Sequence, residues 1–112
     1  MLPSILYRKR GETLVLELTC TDRYDNRQSL AGATNVGLNI YSQDLQPVIT
    51  GDSANLERLE TADPETFGDV KYTRPDDGTL QLGEYKVDIV GTFGAAGPAK
   101  FPEKGYLTLI IN

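Results

Sequence analysis

The clearest regularity along the chain is alternation. Over residues 12–21, Leu14, Leu16, Leu18 and Cys20 share one side, and Val15, Glu17, Thr19 and Thr21 share the other. A helix would scatter these positions around its surface. One apolar face and one mostly polar face predict a strand in an antiparallel sheet with a wet side. The same pattern returns over 34–41, with Val36, Leu38 and Ile40 inward. It returns again over 83–93, with Tyr85, Val87 and Ile89 inward and Glu84, Lys86 and Asp88 outward. Residues 106–111 read as a closing strand that is apolar on both faces. Its Leu107, Leu109 and Ile111 lie on one side and Tyr106, Thr108 and Ile110 on the other. Shorter strands are expected at 47–50 and 69–73. Pro47 confines the first of these to an edge or a strand start, because proline cannot donate to a ladder.

Turn chemistry separates these runs. Residues 22–29 are rich in Asp and Asn, which bond their own backbone. Residues 74–78 carry Pro75, Asp76, Asp77 and Gly78, and 94–98 form a loop of small residues. Residues 51–68 are less regular. Ser53 to Glu60 has the length of two helical turns. Asp63-Pro64-Glu65 is a helix-start signature, a cap followed by proline at the first position. The reading here is a long connection with one short helical turn; the alternative is an irregular strand through Leu56 and Leu59. Short strands joined by turns, with no helix long enough to cover a sheet, predict an all-β sandwich or barrel.

Composition narrows the chemistry. The chain has 112 residues, of which 39% are hydrophobic and 24% charged, the balance of one globular domain. Its 11 Lys and Arg against 16 Asp and Glu leave a net charge of −5, which argues against a general nucleic-acid binder. No apolar run approaches the ~20 residues that span a bilayer. There is no His, which removes the commonest general base and metal ligand. A single Cys excludes an internal disulfide and a structural zinc site. No enzyme and no cofactor is expected.

A few residues invite functional readings. Cys20 lies on an apolar strand face without a base nearby in sequence, and reads as core. Asp22, Asp25 and Asn26 in one turn and Asp76 and Asp77 in another would suit Ca²⁺ if both loops met at one end of the sandwich, though turn chemistry explains them equally. Tyr7-Arg8-Lys9-Arg10 reads either as a charged, solvated edge strand or as a patch for an acidic protein partner. Tyr85, just after Leu82-Gly83-Glu84, has the setting of a tyrosine corner. Phe93 and Phe101 flank the small-residue loop and either close the core or present an apolar tip. A last strand apolar on both faces suggests contact with something outside the domain.

The residues also carry a resemblance. Arg10-Gly11-Glu12-Thr13-Leu14 opens a strand that runs to Asp22 and a polar turn to Asn26. Leu30-Ala31-Gly32-Ala33-Thr34 then leads into the alternation at Val36, Leu38 and Ile40. Later come Gly68-Asp69-Val70 with Tyr72, Gly83-Glu84-Tyr85 with Val87 and Ile89, and a last strand from Gly105 through Leu107 and Leu109 to Ile111. This layout resembles the immunoglobulin-like domains of tailed-phage virion proteins, notably the N-terminal domain of baseplate upper proteins. It covers the chain from about Tyr7 to Ile111. The long stretch 51–68 departs from the pattern, and no C-terminal fibre or receptor-binding head is expected.

The resemblance implies an immunoglobulin-like antiparallel β-sandwich of about seven to eight strands, one domain over residues 1–112, with residues 1–6 as an N-terminal arm. It implies a non-enzymatic structural or adaptor part of a virion (baseplate, neck or capsid-attached), assembled in the host cytoplasm. The expected partners are other virion proteins and further copies of the chain in a symmetric assembly, with no nucleic acid and no membrane. The expected contact residues are Leu2, Ile5, Tyr7, Arg8, Lys9, Phe93, Phe101, Leu107 and Ile110. The alternative is a carbohydrate- or surface-binding sandwich module. The absence of Trp weighs against that alternative, and a gathering of Tyr7, Tyr24 and Tyr41 on one surface would favour it.

Overall fold

A computed structural model describes residue 1 and residues 3–112. Among the described residues nine strands follow in order: β1 (Ile5–Arg8), β2 (Leu14–Thr19), β3 (Asn35–Ser42), β4 (Pro47–Asp52), β5 (Leu56–Arg58), β6 (Asp69–Arg74), β7 (Gly83–Thr92), β8 (Pro98–Phe101) and β9 (Leu107–Ile111). They form two sheets. The smaller has the order β2-β6-β5; the larger has the order β1-β9-β7-β3-β4, with β8 also paired to β7. This is the B-E-D against G-F-C arrangement of an immunoglobulin-like sandwich, with an added strand at each edge of the larger sheet.

The inward faces are those the alternation marks. Leu14, Leu16 and Leu18 of β2 and Val70 and Tyr72 of β6 meet Val36, Leu38 and Ile40 of β3, Val87 and Ile89 of β7 and Leu107, Leu109 and Ile111 of β9 in one core. Cys20 is buried there, and burial pushes its thiol up to about 12, so it stays protonated and inert. The Tyr85 hydroxyl accepts from Gln81 N at 2.8 Å and donates to Gln81 O at 3.2 Å, which is the expected tyrosine corner.

Several elements differ from the sequence reading. Ser53 to Glu60 forms no helical turns: Leu56–Arg58 is a strand against β6, as the alternative reading through Leu56 expected, because Leu56 half-buries itself across from Tyr72. The one helical turn of that stretch is the 3-10 turn Pro64–Thr66, where Asp63 caps Glu65 N at 3.0 Å. The small-residue loop ends sooner than expected. A 3-10 turn at Gly94–Ala96 and a left-handed Gly97 (φ 79°) fold Pro98–Phe101 back onto β7 as β8. β8 and β9 both lie along β7, so together they make one interrupted strand.

Two corrections concern the N-terminal segment. The pairing is not antiparallel throughout, because β1 runs parallel to β9. The described residues of the segment 1–6 do not project as an arm: Met1 and Leu6 are buried in the core, and Ile5–Arg8 is a sheet strand. Its alternation, Leu6 in and Ile5 and Tyr7 out, is short and interrupted by charge, so it carries little signal in the sequence.

Candidate interaction surface

The larger sheet turns one face to the core and one away from it. On the outward face, pairing register sets side chains of four strands in rows. Tyr7 pairs with Ile110, and Ile110 with Glu84. Two residues along, Ile5 pairs with Thr108, Thr108 with Lys86, and Lys86 with Tyr41. The β1 end of this face is apolar and open. Ile5 is 53% exposed and Tyr7 59%, while Ile110 beside them is half-buried. Its β7 stripe is charged, with Lys86 Nζ 3.6 Å from the Glu84 carboxylate.

Nearer β8 the same face closes into a polar network. Asp88, expected to face water, is only 3% exposed. Its carboxylate accepts from Asn39 Nδ2 at 2.8 Å and from the Tyr41 hydroxyl at 3.4 Å, and lies 3.8 Å from Lys100 Nζ. The Asn39 carbonyl in turn accepts from Gly51 N at 2.7 Å, tying β4 to the network. Lys100 Nζ donates to the carbonyls of Pro102 and Gly105 and sits 4.6 Å from the Tyr106 ring centre. The ammonium thus clasps the 102–106 segment over the sheet. Burial draws the Lys100 pKa down, partly offset by the Asp88 charge. Tyr41 meets Tyr106 edge to face at 5.4 Å, and burial together with Asp88 raises its hydroxyl pKa. Every polar group here is engaged locally, which gives the network a structural role.

The expected contact residues separate into groups. Leu2 lies outside the described residues. Ile5, Tyr7 and Ile110 come together on the outward face, as described. Lys9 is exposed in the β1–β2 turn. Arg8 turns inward instead. Its Nε donates to Val15 O at 2.7 Å and a terminal nitrogen donates to Tyr7 O at 2.6 Å. It therefore bridges the free edges of the two sheets, occupying backbone acceptors that a foreign strand would need. Phe93 is half-buried at the far end of β7, against Gly91 and Gly32. Phe101 and Leu107 are core residues, 5% and 1% exposed, because each faces the smaller sheet. Their side chains belong to the domain's own packing, which corrects their expected place in a contact surface.

The candidate calcium loops do not meet. β2 and β6 pair Leu14 with Arg74 and Thr19 with Asp69, so Asp22 and Asp25 follow one end of the sandwich and Asp76 and Asp77 the other. Asp22, Asp76 and Asp77 each serve their own turn, and the Asp25 carboxylate lies 4.0 Å from the N-terminal ammonium. Asp22 accepts from the backbone N–H groups of Tyr24 and Asn26 at 2.8 and 3.0 Å, which hold its pKa below the usual range. Asp77 accepts from Thr79 N at 2.9 Å and from Arg74 at 2.8 Å, and Thr79 first and Arg74 second draw its pKa down to about 2. Among the described residues no group of three His, Cys, Asp or Glu side chains is placed to hold a metal. The tyrosines do not gather into a platform either. Tyr7 and Tyr41 share a face with β9 and β7 between them, and Tyr24 stands on the 22–26 turn beside Arg23.

Two further carboxylates close loops. Glu60 accepts from Leu30 N, Gly68 N and the Ser29 hydroxyl at 2.8, 2.9 and 2.5 Å. Asp52 accepts from the Tyr72 hydroxyl at 2.6 Å, Asn55 Nδ2 at 2.9 Å and Arg74 at 3.2 Å. Burial alone would raise both pKa values, but these donors outweigh it and both are lowered. Saturated carboxylates of this kind hold turns rather than move protons. No protein-family model matches the chain, and no curated protein matches it.

Proposed function

We propose that this protein is a non-enzymatic structural or adaptor component of a tailed-phage virion that works through protein–protein contact. The virion setting comes from the resemblance of its strand and turn motifs. The observation that carries the contact role is the open apolar end of the outward face, where Ile5, Tyr7 and Ile110 stand side by side. Exposed apolar clusters rimmed by charge mark interaction sites. The acidic and basic side chains elsewhere are largely committed to turns and strand edges, which supports a binding part over a catalyst.

The test is particle composition. Mass spectrometry of phage particles, purified from a culture carrying the gene, is expected to find the chain at a fixed ratio to the major structural proteins. A Tyr7→Glu variant that folds normally is expected to be depleted from particles. Absence of the wild-type chain from purified particles would overturn the virion reading.

A further inference from the structure

The outward face has a symmetry that its strand register imposes. Its two rows, Tyr7–Ile110–Glu84 and Ile5–Thr108–Lys86, lie on either side of the line through Leu6, Leu109 and Tyr85. Two such faces stack about 10 Å apart when sheets pack face to face. A two-fold axis along that line reverses the strand direction and exchanges the rows. It sets Tyr7 over the copy's Ile5, Ile110 over the copy's Thr108, and Glu84 over the copy's Lys86. Tyr7 meets Ile5 and carboxylate meets ammonium, twice over. A two-fold axis along β7 instead, with strands parallel, would put Glu84 over Glu84 and Lys86 over Lys86 and would carry β1 away from its copy.

We infer that this face pairs with a second copy of the same chain in an isologous dimer about that axis. The charge pattern argues for a copy over a foreign partner, since the face is complementary to itself about this axis. The Arg8 bridge argues for face-to-face packing over strand addition, because it fills the neighbouring edge. The inference rests on reading this face as a contact surface, and its test is separate from particle attachment.

Sedimentation velocity over a concentration series up to ~1 mM reads it directly, since weaker association lies near the floor of specific binding. The wild-type chain is expected to shift from monomer to dimer, with no larger species. Tyr7→Glu is expected to weaken the dimer by ~100-fold, because each interface loses two apolar anchors and gains two unpaired charges. Glu84→Lys is expected to weaken it by ~10-fold, and Glu84→Lys with Lys86→Glu to restore it, because the exchange of rows still pairs opposite charges. Thermal unfolding of each variant checks that the fold is kept. A monomer at all concentrations would overturn the dimer, as would a dimer indifferent to Tyr7→Glu or a double exchange that fails to restore. A monomer that still enters particles in a Tyr7-dependent way would overturn the dimer alone and leave the contact surface to another virion protein.

Discussion

At Gly68 a single hydrogen atom is all the space allows. A Cβ there would lie 2.5 Å from Cys20 O and 2.9 Å from Gln28 O, and the backbone has φ of 81°. Cys20 N donates to Gly68 O at 2.9 Å, so the two backbones run in contact where the sheet meets the 22–28 turn. Both obstacles are backbone and neither can swing away. Gly68→Ala is expected to destabilise the domain by about 2–4 kcal/mol, combining a strained φ with a steric shift. Equilibrium urea unfolding measures it, and a loss under ~0.5 kcal/mol would contradict the close approach. Asp88 teaches a different lesson at this scale. Its position in the alternation assigns it to the outward face, and it is there. What covers it is a segment 14 to 18 residues further on, together with Asn39 from another strand. Neither contact leaves a trace in the local pattern. Tyr85 is the opposite case, since its hydroxyl partner lies only four residues back and the motif is written in adjacent positions.

Among the elements, β2, β3, β7 and β9 are legible because each runs five to ten residues with its apolar positions two apart. β1, β5 and β8 span only three or four residues, and the sheet beside them decides their state. β1 illustrates the energetics. Only Leu6 of its four residues is buried, at 3% exposure, and the strand closes the edge of the larger sheet over the core. Leu6→Ala is expected to cost about 2–4 kcal/mol, the range for truncating a buried leucine in a site that cannot fully collapse. Urea unfolding should show the loss with a single transition. A neutral substitution would mean that β1 is an ornament on the sheet rather than part of its packing. Arg8 adds to the same closure, since its forked guanidinium reaches the carbonyls of Tyr7 and Val15 at once. Read from the sequence as part of a basic run, it serves as a clasp between sheets.

For the molecule as a whole, stability should follow its carboxylates. The folded pKa values of Asp22, Asp52, Glu60 and Asp77 are all lowered, Asp77 to about 2. The unfolded chain therefore binds protons first as pH falls below the ordinary values of ~3.9 and ~4.3. The stability these groups contribute is complete above that range and is lost as pH falls toward 2. At the alkaline side Tyr72 is raised, by burial and then by its bond to Asp52, and Tyr41 is raised by burial and Asp88. Their contribution is complete below the ordinary tyrosine value of ~10 and declines above it, and that of Cys20, raised by burial to about 12, declines already above the ordinary thiol value of ~8.5. Melting temperature is thus expected to be flat between about pH 5 and 8 and to fall on both sides. Glu60→Gln is expected to lower the plateau and to flatten the acid limb. An unchanged acid limb would show that its three hydrogen bonds do not distinguish the charged form.

By itself the sequence determined the fold class, the inward faces of the long strands and the turns between them. These follow from side chains two residues apart and from Asp, Asn and Gly bonding or bending their own backbone, all of which are local. The tertiary structure alone decided which polar residues are buried and which exposed residues stand together. Phe101 and Leu107 became core because their faces meet the smaller sheet. Tyr7, Ile110 and Glu84 became one row because β1 pairs with β9 and β9 with β7, across a hundred residues of chain. Register of that range depends on the packing of the whole sandwich. A surface built from it is invisible until the strands are placed side by side.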